Sequence, residues 1–212
     1  MYLILQHEPD EGPERLRLAL PGPARTVRVF AGDPLPKRLV GIDGILTLGG
    51  EMNVHDALPW MPGELDLLRS AHAAQIPILG VCLGSQLLAT ALGGAVARMA
   101  APEVGWWPVR RTRPDPLTEG LPDPMMQFHA HSYAVTRVPE GALVLLASDA
   151  CPVQAWRVGD RTLGLQFHCE WEAETTQRFY RGATEMSAHY SDYEQLGSII
   201  AARIAAGVFS RS

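Results

Sequence analysis

From Pro77 to Ala89 the chain runs through Ile78, Leu79, Gly80 and Val81 to Cys82, then through Leu83, Gly84, Ser85 and Gln86 into Leu87 and Leu88. An apolar run that passes this abruptly into Leu- and Ala-rich sequence reads as a buried strand turning into a helix. A tight strand-to-helix turn lifts its central side chain above the end of a sheet. Gly80 and Gly84, two residues to either side, let neighbouring backbone approach without a Cβ clash. Cys82 would then stand at a helix N-terminus, where the positive dipole end favours thiolate over thiol. On this stretch alone, a nucleophile and a buried packing cysteine are equally consistent readings.

The remainder of the first half repeats the alternation. Met1 to Gln6, Thr26 to Phe30 and Ile42 to Leu48 are strand-like, while Glu14 to Leu20 and Gly63 to Gln75 have helical spacing. Continuous apolar strands between amphipathic helices predict an α/β fold with a mostly parallel central sheet flanked by helices, and sites outside the carboxyl ends of its strands. The second half changes texture. Ala95 to Ala100, Val104 to Thr112, Met125 to His129, Leu143 to Ala147, Val153 to Val158 and Thr162 to Phe167 read as short strands forming a small antiparallel extension. Helices are expected over Ala173 to Ser187 and Tyr193 to Phe209. With 212 residues, 47% of them hydrophobic, one domain spanning 1–212 is expected.

Several function classes fall away. The net charge is -5, and Arg110, Arg111 and Arg113 are the only basic cluster, so no nucleic-acid partner is expected. No apolar run approaches the ~18 residues a bilayer span needs. No membrane association is expected, and a cytoplasmic location follows. Cys82, Cys151 and Cys169 are odd in number and widely spaced, which argues against a disulfide framework or a Cys-x-x-Cys metal site. His7, His55, His72, His129 and His189 read as surface or core residues; no metal and no cofactor is expected.

Two further segments carry chemistry. In Phe167-His168-Cys169-Glu170 the histidine and glutamate are two apart, so in an extended segment they project to one side. A base and its orienting carboxylate need this arrangement, although an edge histidine beside a surface glutamate would share the spacing. Leu48-Gly49-Gly50 ends a strand where an acyl-transfer site needs backbone N–H donors. Gly50 and Leu83 can supply them, and a plain glycine turn is the alternative.

Together Gly80-Val81-Cys82-Leu83-Gly84-Ser85-Gln86, Phe167-His168-Cys169-Glu170 and Leu48-Gly49-Gly50 resemble the motifs of class I (triad-type) glutamine amidotransferases, in particular stand-alone proteins similar to the glutaminase domain of GMP synthase. Leu5-Gln6-His7-Glu8, Gly105-Trp106 and Phe128-His129-Ala130-His131-Ser132-Tyr133 extend the likeness. The resemblance implies a flavodoxin-like sheet. It implies that Cys82 attacks the γ-amide of glutamine to form a thioester, His168 moves the proton and Glu170 orients His168. Gly50 and Leu83 would hold the oxyanion, while Gln86 and the backbone around His131, Ser132 and Tyr133 would hold the substrate's amino and carboxylate groups. The ammonia would pass to a separate synthase. Alternatives are a γ-glutamyl amide hydrolase acting without a synthase and a non-catalytic regulatory subunit. Two positions depart from the family's pattern: Cys169 where proline is usual between His and Glu, and Glu51 after the glycine pair, where an uncharged residue is common.

Overall fold

The computed structural model describes residues 1–179 and 183–210. Its strands are β1 (Tyr2–Gln6), β2 (Ala24–Arg28), β3 (Gly44–Thr47), β4 (Ile78–Val81), β5 (Ala95–Arg111), β6 (Met125–Arg137), β7 (Leu143–Ala147), β8 (Ala155–Val158) and β9 (Thr162–Leu165). The helices are α1 (Glu14–Ala19), α2 (Met61–Ala73), α3 (Leu83–Ala91), α4 (Ala173–Phe179) and α5 (Ala183–Gly207). The strands form one sheet in the order β2-β1-β3-β4-β9-β8-β7-β5-β6. The first five are parallel to one another, and β8, β7, β5 and β6 continue the sheet antiparallel.

The parallel strands read as unbroken apolar runs because helices cover both faces. Alternate residues go to opposite layers. Leu3, Leu5 and Ile45 pack with α2 and α3 through Leu68, Leu87 and Leu88. Ile4, Leu46 and Leu79 pack on the other face with Leu16 of α1 and Ile200 and Ile204 of α5. The carboxyl ends of β1, β3, β4 and β9 therefore share one edge. The segments that leave it contain His7 to Glu11, Leu48 to Gly50, Cys82, and Phe167 to Glu170.

Three boundaries differ from the expected ones. The two strands expected over Ala95 to Ala100 and Val104 to Thr112 are one, β5, whose pairing with β6 shifts register between Arg98 and Glu103. Pro102 lies inside that shift, so the proline is accommodated by a bulge and does not end the strand. β6 continues past His129 to Arg137, bringing His131, Ser132 and Tyr133 into the ladder. The last helix has no break between Ser187 and Tyr193: α5 runs from Ala183 to Gly207, with Tyr193, Leu196, Ile200 and Ile204 forming one buried stripe.

Candidate active site

Cys82 follows β4 directly and precedes the first residue of α3, with φ 51° and ψ -110°. A non-glycine residue held at positive φ is strained, and such strain persists only where the surroundings fix it. Here the Cys82 N–H donates to Leu165 O at 2.7 Å, its carbonyl accepts from Gln86 N–H at 3.2 Å, and Gly84 N–H donates to Leu48 O at 3.0 Å. The flanking glycines are needed for close approach, since a Cβ on Gly80 would lie 2.6 Å from Gly84 O. Leu83 opens α3, so its N–H has no partner within the helix.

His168 N–H donates to Phe128 O at 2.9 Å, which ties the segment after β9 to β6. Its side chain is buried, and Nδ1–H donates to Glu170 Oε1 at 2.7 Å. The ring stacks on Trp171, with centroids 3.5 Å apart. Nε2 has no aligned hydrogen-bond partner, and His168 Cε1 and Cys82 Cβ both lie against Gly49. Burial alone would lower the His168 pKa. The Glu170 carboxylate and the nearby Cys82 outweigh it and hold the pKa well above 6.5. Thiol, imidazole and carboxylate thus form one buried cluster of the kind that activates a nucleophile.

The residues that brace this cluster belong to no motif in the sequence. Arg15 of α1 donates through Nη1 to Cys169 O at 2.7 Å and Trp171 O at 3.2 Å, gripping the backbone on both sides of Glu170. Tyr193 OH donates to Trp171 O at 3.0 Å. Gly197 lets α5 close over these contacts, because a Cβ there would lie 2.6 Å from both Arg15 Nη1 and Cys169 O. These bonds supply the restraint that proline would have given at Cys169. The Cys169 thiol sits in the apolar core with its pKa pushed far up by burial, as expected for a packing residue.

A small cavity of about 70 Å³ is lined by Gly50, Glu51, Met52, Cys82, Leu83, Gln86, Ala130, His131, Ser132 and Tyr133. All the residues expected to hold oxyanion or substrate therefore meet Cys82 in one place. Larger surface grooves, such as one of about 660 Å³ along Arg111 to Gly120, contain none of them. Gln86 Nε2 donates to Tyr133 O at 2.9 Å and Gln166 Oε1 at 3.2 Å, fixing α3 to β6. Gln166, to which the sequence attaches no role, also directs Nε2 toward Cys82 Sγ at 3.8 Å. Glu51 is exposed at the rim.

Two buried acidic groups surround the glycine loop, and the first, Glu64, acts through a histidine. His7 Nδ1–H faces Leu48 O at 3.2 Å and Gly49 O at 3.3 Å, and Nε2–H faces Glu64 Oε2 at 3.0 Å. Acceptors at both nitrogens call for the imidazolium; burial opposes it, but Glu64 prevails and raises the pKa. The His7–Glu64 pair, with Thr47 Oγ donating to Glu64 Oε1 at 2.7 Å, clamps the carbonyls of the loop. Glu11 is the second. Its Oε2 packs so closely on Gly49 that a Cβ there would be 2.6 Å away.

Burial raises the Glu11 pKa to about 7, His168 opposes the rise, and Glu170 adds to it. A carboxyl with a raised folded-state pKa contributes its full stability below the unfolded value near 4.5 and loses it as pH rises through about 7. Glu11→Gln, permanently neutral, is therefore expected to match the wild type at pH 4.5 and to exceed it by about 3 kcal/mol at pH 9. Urea midpoints at the two pH values measure this, and a difference that does not change with pH would contradict it.

The family model for class-I glutamine amidotransferases matches residues 25–181. The chain belongs to that family. It is 29% identical over 193 residues to the glutamine amidotransferase-like protein YfeJ of Salmonella typhimurium, covering 80% of each chain. It is 33% identical over 139 residues to a separate subunit of the glutamine-hydrolyzing GMP synthase of Sulfolobus acidocaldarius, covering 65% of this chain and 72% of that one. With the GMP synthase of Lactobacillus delbrueckii it shares 36% over 129 residues but spans only 24% of that longer protein. The crystal structure of a glutamine amido transferase from Methylobacillus flagellatus superposes with a TM-score of 0.89 at 29% identity, covering 100% of this chain and 96% of the other. As a class I glutamine amidotransferase, the chain has the expected α/β architecture, and among its described residues no helix is long and apolar enough to cross a membrane.

Proposed function

We propose that this class I glutamine amidotransferase hydrolyses the γ-amide of glutamine through a thioester on Cys82 and releases ammonia for a separate acceptor enzyme. The observation that carries this reading is the strained Cys82 turn, set against the same glycine loop as the buried His168–Glu170 pair. Cys82 passes its proton to His168 and attacks the amide carbon, and the oxyanion that develops accepts N–H groups from Leu83 and Gly50. His168 returns the proton to the leaving nitrogen as the C–N bond breaks, giving ammonia and a glutamyl thioester. Water then gives a proton to His168 and attacks the thioester, so that glutamate leaves and the thiol is restored. Gln86 and the backbone of His131, Ser132 and Tyr133 grip the substrate's charged end. The similarity to one subunit of a GMP synthase supports a synthase partner as the ammonia acceptor.

Ammonia release from glutamine by the wild type and Cys82→Ala tests this reading. The wild type is expected to turn over and the variant to be silent, and an electrophilic glutamine analogue is expected to label Cys82 alone. Equal ammonia from both proteins, or no labelling of Cys82 at neutral pH, would favour a non-catalytic binding subunit.

A further inference from the structure

Behind the pocket wall three donor side chains converge. β5 and β6 pair with Glu103 opposite His131 and Gly105 opposite His129, and the two histidines lie on one face of β6. His131 Nε2 is 3.0 Å from Glu103 Oε2, His129 Nδ1 is 3.3 Å from His131 Nε2, and His129 Nδ1 is 3.6 Å from Glu103 Oε2. All three side chains are buried. Three donors each about 2.1 Å from a tetrahedral zinc ion would stand about 3.4 Å apart, so this triangle already has the size a first-row divalent ion requires.

The surrounding bonds are those that fix metal ligands. His131 Nδ1–H donates to Tyr133 O at 3.1 Å, so the Nε2 lone pair turns toward Glu103. Glu103 Oε1 accepts from Ser148 Oγ at 2.5 Å, and Oε2 accepts from Gln154 Nε2 at 2.6 Å. A lone pair against a carboxylate requires a cation between them. A proton on His131 Nε2 would serve that pair but would leave His129 aiming a third donor at the same point. His129 has no better use for it: burial and the neighbouring His131 depress its pKa to about 3, so the ring is neutral, and its Nε2 is buried without a partner. Burial raises the Glu103 pKa, but bonds from His131 and Ser148 outweigh it and keep the carboxylate ionised.

We propose that Glu103, His129 and His131 form a binding site for one divalent transition-metal ion of the zinc class, joining β5 to β6 directly behind His131, Ser132 and Tyr133. Two imidazoles and one carboxylate are a donor set that suits zinc and its first-row neighbours. A filled site would lock the wall of the cavity, and this holds whether or not the chain hydrolyses glutamine.

The full chain carrying Cys82→Ala is the protein to test, because Cys82 and His168 would otherwise offer zinc a second buried site. After stripping with a chelator, it is titrated with Zn²⁺ against a chromophoric competitor and, separately, loaded with Co²⁺. One zinc per chain is expected, with a cobalt spectrum lacking a thiolate charge-transfer band. In the same background His129→Asn is expected to weaken zinc binding by more than about 100-fold, beyond the loss from an outer partner. Imidazole nitrogen shifts of His129 and His131 on adding zinc decide the matter even if that variant does not fold. Substoichiometric zinc, a thiolate band, unmoved histidine shifts or equal affinity in a folded His129→Asn would overturn the proposal.

Discussion

Glu170→Gln is expected to cut kcat/KM for glutamine by about 10⁴-fold without unfolding the protein, the scale seen when the carboxylate of a catalytic triad becomes an amide. Two effects combine. Glu170 Oε1 accepts the His168 Nδ1–H at 2.7 Å and so fixes the tautomer that leaves Nε2 free for the thiol. An amide NH₂ presented at that point would demand the opposite tautomer. In addition, burial lowers the His168 pKa, and Glu170 is the charge that most opposes it.

The direction of the pH effect follows from that opposition. With a raised pKa, the imidazolium is fully present below 6.5 and is lost only as pH rises through the higher folded-state value. Removing the Glu170 charge leaves burial dominant, so the proton is lost at lower pH and the falling limb of the pH profile should move toward acid. The stack on Trp171 and the Arg15 bonds remain, which is why position should survive while chemistry does not. Profiles of kcat/KM against pH for both proteins measure the two effects, and an unchanged profile would remove Glu170 from the mechanism.

Much of this site is legible in the sequence because its parts are local. Cys82 between Gly80 and Gly84 encodes its own turn, His168 and Glu170 fall on one side of a short segment, and Leu48-Gly49-Gly50 ends a strand. The parallel half of the sheet is equally local in origin, since unbroken apolar runs need cover on both faces. What sequence alone does not reveal depends on pairing across the chain. Arg15 lies more than 150 residues from the carbonyls it holds. His7 and His129 look unremarkable in sequence, and each acquires its role from a remote carboxylate: Glu64 reaches His7 through the docking of α2, and Glu103 reaches His129 through the β5–β6 register. Pro102 suggests a strand end, yet a bulge absorbs it, and that bulge precedes the register that aligns Glu103 with His131.

The turn at Cys82 also predicts the largest effect on stability. Gly84→Ala is expected to cost more than about 4 kcal/mol, in the range reserved for overpacked or strained core positions, and to abolish activity. A Cβ at Gly84 would overlap the Thr47 carbonyl oxygen, lie 2.5 Å from its carbon and come within 3.0 Å of Leu48 O. All three are backbone atoms at the end of β3, so no side chain can rotate away. Relief requires α3 to lift from the sheet, breaking the Gly84 N–H bond to Leu48 O and separating Leu83 from the glycine loop. Gly63→Ala is the matched control. It sits in α2, where a Cβ would meet only Leu35 Cδ1 at an ordinary 3.4 Å. There the exchange should stabilise by about 0.5–1 kcal/mol, because alanine loses less backbone entropy in a helix. Urea midpoints of both variants test the pair. A Gly84→Ala protein within about 1 kcal/mol of wild type would show that α3 does not need to seat its first turn on β3, and the geometric basis for placing Leu83 and Gly50 around one oxyanion would fall with it.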